Sequence, residues 1–103
     1  MVLYSEQAKE DLRNILWGLA TWKKHPLGYE HALQYVDDIQ AEVDTICTKF
    51  YHANATHPLH KKYGNKVHTY KRNSNTQWFA IYDWNTLLRI ALVNLIVNNH
   101  QTT

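Results

Sequence analysis

The residue types that could bind or transform a polyanion are concentrated in the second half of the chain. From residue 45 onward, seven lysines and arginines are opposed by Asp83 alone, and five of the seven histidines lie in the same stretch. Residues 1–44 show the reverse, with eight acids against four bases. Because summed charge steers association, a surface of one sign would attract RNA or an acidic partner protein.

Length and composition predict one domain without a disulfide or a membrane span. The chain has 103 residues, of which 45% are hydrophobic, and Cys47 is its single cysteine. The first five residues have no basic segment followed by a long apolar stretch, which argues against a signal peptide. The longest apolar run, residues 90–97, is interrupted by Asn94 and falls short of the ~20 residues that a spanning helix needs. We therefore expect a cytoplasmic protein.

A metal site is not predicted, and neither is any other cofactor. His52, His57 and His60 could be drawn as ligands, but their spacing matches no usual zinc pattern and no cysteine is close to them in sequence. His52 and His57 lie in a loop without acidic or aromatic context, so ordinary surface histidines are the simpler interpretation.

Two amphipathic helices are predicted in the acidic half. Ser5 is a credible N-cap, and apolar residues recur behind it at three- and four-residue spacing as far as Trp22. Pro26 should end this helix near His25, because it disfavours helical geometry in the preceding residue. A second apolar stripe extends over residues 29–50. Adjacent helices joined by a short Pro/Gly loop predict a helical hairpin packed on a sheet.

Strands are predicted in the basic half and at the start of the chain. Residues 67–72 alternate loosely, residues 76–84 are rich in aromatic side chains, and residues 87–97 form a long β-branched run. Turn-forming residues separate the three runs, so we expect an antiparallel meander. With a short strand at residues 2–4 joining it, the prediction is an α+β fold of order β-α-α-β-β-β, with the helical hairpin on an antiparallel sheet.

Two runs of sequence resemble the RelE/ParE superfamily of toxins. Residues 4–12 (YSEQAKEDL) are similar to the start of these toxins, in which a short strand leads into a helix opening with Ala and Asp-Leu at this spacing. Residues 66–72 (KVHTYKR), a turn, and residues 78–82 (WFAIY) look like the family's basic strand, turn and aromatic strand ending in Ile-Tyr. The resemblance covers nearly the whole chain.

The resemblance implies the toxin of a type II toxin-antitoxin pair, with a cognate antitoxin as its partner. Most relatives are metal-independent endonucleases that cut mRNA in the ribosomal A site, where the ribose 2′-hydroxyl attacks the adjacent phosphate. The ParE branch acts instead on DNA gyrase. A degenerate member that only binds its antitoxin is a further alternative.

The resemblance also assigns candidate catalytic residues. Cleavage needs a base near the 2′-hydroxyl, an acid at the leaving oxygen and cations around the phosphate. His68 lies in the basic strand where the family often has a lysine, and His100 follows the last strand, where some members carry a catalytic histidine. His60 and Arg72 complete the candidate set, and we expect the C-terminal tail to bring His100 towards His68 and Arg72 on the sheet face that the helices leave open.

Other basic and aromatic residues are expected to bind RNA or to be an ordinary solvated surface. Phe79 stands where many nuclease members have an arginine, so the transition-state cation is either missing or supplied by Arg72 or Arg89 instead. A sheet face with converging His, Lys and Arg side chains would favour the nuclease, and a face without them would favour the alternatives. The candidate RNA-binding residues are Lys61, Lys62, Lys66, Lys71, Tyr70 and Arg89.

Overall fold

The computed structural model describes residues 1–22 and 28–100 and has the predicted order of elements. The second helix is shorter than predicted, because residues 45–48 tighten into a 3₁₀ turn, and the expected helix end near His25 lies outside the described residues. The elements are β1 (Val2–Tyr4), α1 (Glu6–Thr21), α2 (Tyr29–Asp44), β2 (Lys66–Lys71), β3 (Gln77–Asn85) and β4 (Ile90–Asn98).

The start of α1 is joined directly to the sheet. Ser5 caps the helix as predicted, since its Oγ accepts a hydrogen bond from the backbone N–H of Ala8 at 3.1 Å. The backbone N–H of Ser5 donates to the carbonyl of Val93 at 2.9 Å. One turn further on, Asp11 accepts from the backbone N–H of Ile96 at 2.9 Å, and burial raises the pKa of this carboxyl. These bonds fix α1 along β4.

The sheet is mixed, so the expectation of a wholly antiparallel sheet is wrong. The strand order is β1-β4-β3-β2, and the predicted antiparallel meander of β2, β3 and β4 is present. β1, however, pairs with β4 in parallel, with Val2 opposite Ala91 and Tyr4 opposite Val93.

The path of the two helices explains the parallel pairing. α1 continues along β4 in the direction of β1, whereas α2 returns, since Asp38 bonds Arg72 and the later Glu42 bonds the earlier His68 of β2. The chain is then back at the start of β1, where the Met1 ammonium lies 3.1 Å from Cys47 Sγ. β2 therefore begins at the same end of the sheet as β1, and β4 runs the same way as β2 after two hairpin turns.

The helices cover one face of the sheet, and a loop segment covers part of the other. The helices and one face enclose the core, whose largest side chains include Ile39, Ile46, Trp78, Tyr82 and Ile96. On the opposite face the wrap segment, which we define as residues 53–65, passes around the edge of β2. The carbonyl of Ala53 accepts from the N–H of Val67, and the His60 ring packs on Phe79 at 5.3 Å between centroids. The sheet face expected to be open is therefore partly covered, and Ile81 on it is buried.

Candidate nucleic-acid interface

A groove of about 510 Å³ lies at the end of the molecule where β2 begins. Three cations and several aromatic rings line it, and no carboxylate is among the described residues that line it. We call it the basic–aromatic groove, and its lining residues are Lys49, Phe50, Tyr51, His52, Asn65, Lys66, Trp84, Thr86 and Arg89.

One wall of the groove is a stacked pair of rings, and a buried core residue forms a hydrogen bond with one of them. His52 stacks on Trp84 with 3.9 Å between centroids and 23° between planes. Its Nδ1 lies 2.7 Å from the hydroxyl oxygen of Tyr82, which is fully buried. Burial raises the pKa of Tyr82 to about 12, and burial together with the positive charges of Lys49, Lys66 and Arg89 lowers the pKa of His52. The Tyr82 hydroxyl and the His52 imidazole therefore share a hydrogen bond as neutral groups, and this bond holds the His52 ring in its stacked position.

Two of the cations in the groove are held by neighbouring polar groups. Arg89 Nη2 donates to the carbonyl of Cys47 at 2.7 Å, and its guanidinium lies 5.6 Å from the centre of the Trp84 ring. Its backbone has φ of 52°, which is uncommon for a residue with a side chain. Lys66 Nζ donates to Asn54 Oδ1 at 2.7 Å. The groove is thus pre-formed, which reduces the ordering cost of binding a ligand.

Exposed aromatic side chains flank these cations. Phe50 is fully exposed and Tyr51 is 74% exposed, although each has a large apolar ring. Proteins that bind single-stranded nucleic acid combine such rings, on which bases stack, with a positively charged groove that follows the backbone. The groove has both components within a few consecutive residues of the chain.

The third cation, Lys49, belongs to a chain of polar groups that we call the relay: Lys49, His68 and Glu42. Lys49 Nζ lies 2.9 Å from His68 Nδ1, and His68 Nε2 lies 3.2 Å from Glu42 Oε1. Burial and the Lys49 charge lower the pKa of His68, and burial lowers the pKa of Lys49. The relay connects the groove to the surface of α2.

The four candidate catalytic side chains do not converge. His68 is 6% exposed and faces α2, so the expectation that it lies on the uncovered sheet face is wrong. Because side chains alternate along β2, His68 points away from the face that carries Val67 and Thr69, where the wrap segment lies. Arg72 also faces α2, where its Nη1 donates to Asp38 Oδ2 at 2.7 Å. His68 and Arg72 are thus each paired with a carboxylate from the acidic half of the chain.

His60 and His100 lie in two further places. His60 is buried in the wrap segment against Phe79, and its Nε2 has no hydrogen-bond partner. His100 lines a groove of about 540 Å³ between α1 and the ends of β3 and β4, together with Trp22 and Trp78. The rest of the tail that was expected to carry His100 towards His68 lies outside the described residues.

The candidate RNA-binding residues separate into several groups. Lys66 and Arg89 line the basic–aromatic groove, whereas Lys61 and Lys62 line a different cavity of about 920 Å³ that also contains Asp83 and Glu6. Lys71 is exposed at the other end of β2, and the Tyr70 hydroxyl accepts a hydrogen bond from Arg72 at 3.1 Å. Two of the six, Lys66 and Arg89, thus lie in the basic–aromatic groove.

Sequence reasoning missed most of the groove. The sequence predicts an ordinary loop histidine at His52, without aromatic context, but His52 stacks on Trp84, which comes from a distant part of the chain. One local signal was present, because Lys49, Phe50, Tyr51 and His52 are consecutive and combine a cation with three rings. Such a run, placed in a loop, is typical of a surface that binds nucleic acid.

Two classes of site are not found in the described part of the chain. Residues 1–22 and 28–100 contain no group of three or more His, Cys, Asp or Glu side chains that could hold a metal ion. Neither of the described α-helices is sufficiently long and apolar to cross a membrane.

Comparisons of the chain with models of known families, with curated proteins and with solved structures find no match. Functional inference for this protein therefore rests on its own residues and on the geometry of the groove.

Proposed function

We propose that this protein is a cytoplasmic RelE/ParE-like toxin of a type II toxin-antitoxin pair that binds mRNA, in the ribosomal A site, through the basic–aromatic groove. The observation that carries the proposal is the groove itself, in which three cations and exposed rings meet without a lining carboxylate. The order of elements and the antiparallel meander agree with the fold that the sequence resemblance implies.

The groove suits single-stranded RNA for two physical reasons. Each cation that neutralises a phosphate releases condensed counterions, so the affinity should fall with salt by a logarithmic slope of ~0.7 per contact. Phe50 and Tyr51 offer ring faces, and stacking of a base on an aromatic ring contributes ~1–3 kcal/mol. Neither interaction depends on base identity, so we expect little sequence preference from the groove alone.

A toxin that binds DNA gyrase, or a degenerate member that binds only its antitoxin, is the second candidate. One observation favours it: His60, His100 and the pair of His68 and Arg72 lie in three separate places and do not form the cluster that would favour the nuclease. RNA cleavage by this chain would accordingly have to use other groups.

The binding proposal is tested by fluorescence anisotropy with a labelled single-stranded RNA over a range of salt concentrations. The Lys66→Ala/Arg89→Ala variant should lower the logarithmic salt slope by about 1.4, because it removes two phosphate contacts. Lys9→Ala is the matched control, since Lys9 lies on α1 and pairs with Glu6. A double variant that keeps the parent's slope would show that RNA does not occupy the groove.

A second lysine variant separates the groove from the rest of the basic half. The sequence predicts that Lys61→Ala/Lys62→Ala/Lys71→Ala flattens the salt slope, whereas the groove proposal predicts a smaller effect than that of Lys66→Ala/Arg89→Ala. Equal losses in both variants would place the RNA along the whole basic half.

The toxin role is tested by expressing the chain alone in a bacterium and mapping RNA 5′ ends. New 5′ ends within translated codons, suppressed by the neighbouring open reading frame, are expected. Growth arrest with DNA damage and unchanged RNA would support the gyrase-directed alternative. Absence of a complex with the neighbouring gene product at micromolar concentration would count against a toxin-antitoxin pair.

A further inference from the structure

The relay has the arrangement expected of a proton-transfer group that is held in place by its neighbours. Lys49, at one end, lines the basic–aromatic groove. His68, in the middle, is 6% exposed and is bonded on both sides. Glu42, at the other end, belongs to α2, and its side chain is 40% exposed. Three different elements of the chain are thus joined at one edge of the groove.

The hydrogen-bond inventory of the relay determines the tautomer of His68. The Glu42 carboxylate can only accept, so His68 Nε2 carries the proton that is donated at 3.2 Å. His68 Nδ1 is then a lone-pair acceptor, and Lys49 Nζ donates to it at 2.9 Å. A histidine oriented by a carboxylate on one nitrogen presents the other nitrogen in a fixed direction.

Charged groups around Lys49 come from every element that packs near it. Glu42 approaches from α2, His68 and Lys66 from β2, and Arg89 from the turn before β4; His52 lies in the same groove. Burial lowers the pKa of Lys49, and the charge of Glu42 opposes this effect. A larger share of neutral amine is therefore present near neutrality than for a lysine in water.

We propose that Lys49 transfers a proton in RNA cleavage, with His68 and Glu42 as positioning residues. This inference rests on the proposed function, since the RNA must occupy the groove. The Lys49 amine takes the proton of a ribose 2′-hydroxyl, whose oxygen forms a bond to the adjacent phosphorus. The bond from phosphorus to the 5′-oxygen breaks, and that oxygen takes a proton from water. The products are a 2′,3′-cyclic phosphate and a 5′-hydroxyl.

Lys49 occupies a position that none of the predicted catalytic residues has. His68 is too buried to contact RNA itself, and the Arg72 guanidinium is held by Asp38 and stacked at 4.2 Å from the centre of the Tyr35 ring. Lys66 and Arg89 line the same groove and can hold the phosphate whose negative charge grows in the transition state.

The first experiment uses Lys49→Arg, which keeps the charge and removes a group that can accept a proton near neutral pH. RNA affinity should stay within about twofold of the parent, while cleavage of a short mRNA on programmed ribosomes should fall ~100- to 10,000-fold. Lys9→Arg is the matched control and should cleave like the parent. Parent-like cleavage by Lys49→Arg would overturn the proposal.

Two outcomes distinguish a failure of this inference from a failure of the proposed function. A parent protein that binds RNA at the groove but does not cleave it overturns the role of Lys49 and leaves the proposed binding intact. A parent protein that binds no RNA overturns both.

The second experiment tests the positioning residues through pH. Acetic anhydride reacts with neutral amines, so the pH dependence of Lys49 acetylation, followed by mass spectrometry, reports when this amine loses its proton. Glu42→Gln removes the charge that opposes the effect of burial, so the labelling midpoint should shift to lower pH. The midpoint of the pH–rate profile for cleavage should shift in the same direction by the same amount.

A purely structural role of Glu42 would give a different result. Cleavage would then change in amplitude without a shift of its pH midpoint, and this outcome would overturn the assignment of Glu42 as a positioning residue. Glu42→Asp, which keeps the carboxylate, should restore the midpoint of the parent.

Discussion

Gly64 is the position where a single added methyl group should destabilise the fold most directly. It lies in the wrap segment against the backbone of β3. A Cβ atom there would come 2.6 Å from the carbonyl oxygen and 2.7 Å from the carbonyl carbon of Tyr82. Carbon contacts are optimal at ~3.5–4.0 Å, so the wrap segment would have to move away by roughly 1 Å.

The displacement sets the expected magnitude for Gly64→Ala. A gap of ~0.5–1 Å forfeits a quarter to a half of the dispersion energy of each contact, and forced overpacking typically costs ~1–3 kcal/mol. Ala55 and His60, both buried in the wrap segment, are the side chains whose packing would loosen. For a domain of this size each kcal/mol lowers Tm by ~4–8 °C, so we expect a fall of at least ~4 °C.

Thermal and urea unfolding of Gly64→Ala, the parent and Gly18→Ala provide the test. Gly18 lies within α1 and has no atom within 4 Å of a built Cβ, so alanine there should raise the free energy of unfolding by ~0.5–1 kcal/mol. The two variants make the same chemical change and should have opposite signs. A Gly64→Ala protein as stable as the parent would refute the close approach of the wrap segment to β3.

Titratable and hydroxyl groups give three more expected outcomes. Burial lowers the pKa of His60 in the folded protein. As pH drops through ~6.5, His60 therefore becomes protonated in the unfolded chain before it does so in the folded protein, and the free energy of unfolding should fall. In urea melts, His60→Phe should reduce this dependence of the free energy of unfolding on pH. The hydrogen bond from Arg72 holds the pKa of Asp38 below its ordinary value, so its contribution exists above ~pH 4 and disappears as pH falls through the lowered pKa. Asp38→Asn should make the free energy of unfolding less dependent on pH below ~4. An unchanged dependence on pH in this range would contradict the pairing of Asp38 with Arg72. Tyr82→Phe should cost ~0.5–1.5 kcal/mol in thermal melts, because the hydrogen bond between Tyr82 and His52 is lost.

Local pattern was sufficient to predict the order of the elements but not the direction of every strand. The Ser5 cap, the apolar spacing in α1 and the aromatic run in β3 are signals within a few residues, and each produced the element that it indicates. The parallel pairing of β1 with β4 depends on where α2 delivers the chain, which no local signal encodes. The three-dimensional path of the chain, and not local sequence propensity, therefore determines that β1 and β4 are parallel.

Side-chain direction was the main obstacle to predicting the site. His68 and Arg72 lie in the basic strand of the sequence, residues 66–72, but strand alternation and carboxylates on α2 turn both side chains towards the helix layer. A count of charges along the chain cannot show this, because Asp38 and Glu42 are 34 and 26 residues away from their partners. The groove was missed for the same reason, since Trp84 and Arg89 reach Lys49 and His52 only through the fold.

The position of β4 has a consequence for how the protein is made. This strand lies between β1 and β3 in the sheet and is nevertheless the last of the described strands to be synthesised. Translation at ~5–20 residues per second gives a chain of this length roughly 5–20 s of synthesis during which β1 has no partner. The backbone groups of β1 and the face of α1 that packs on β4 remain exposed to water during that time. Because Ser5 and Asp11 also bond to β4, the first turns of α1 acquire their hydrogen bonds to the sheet only after β4 has left the ribosome.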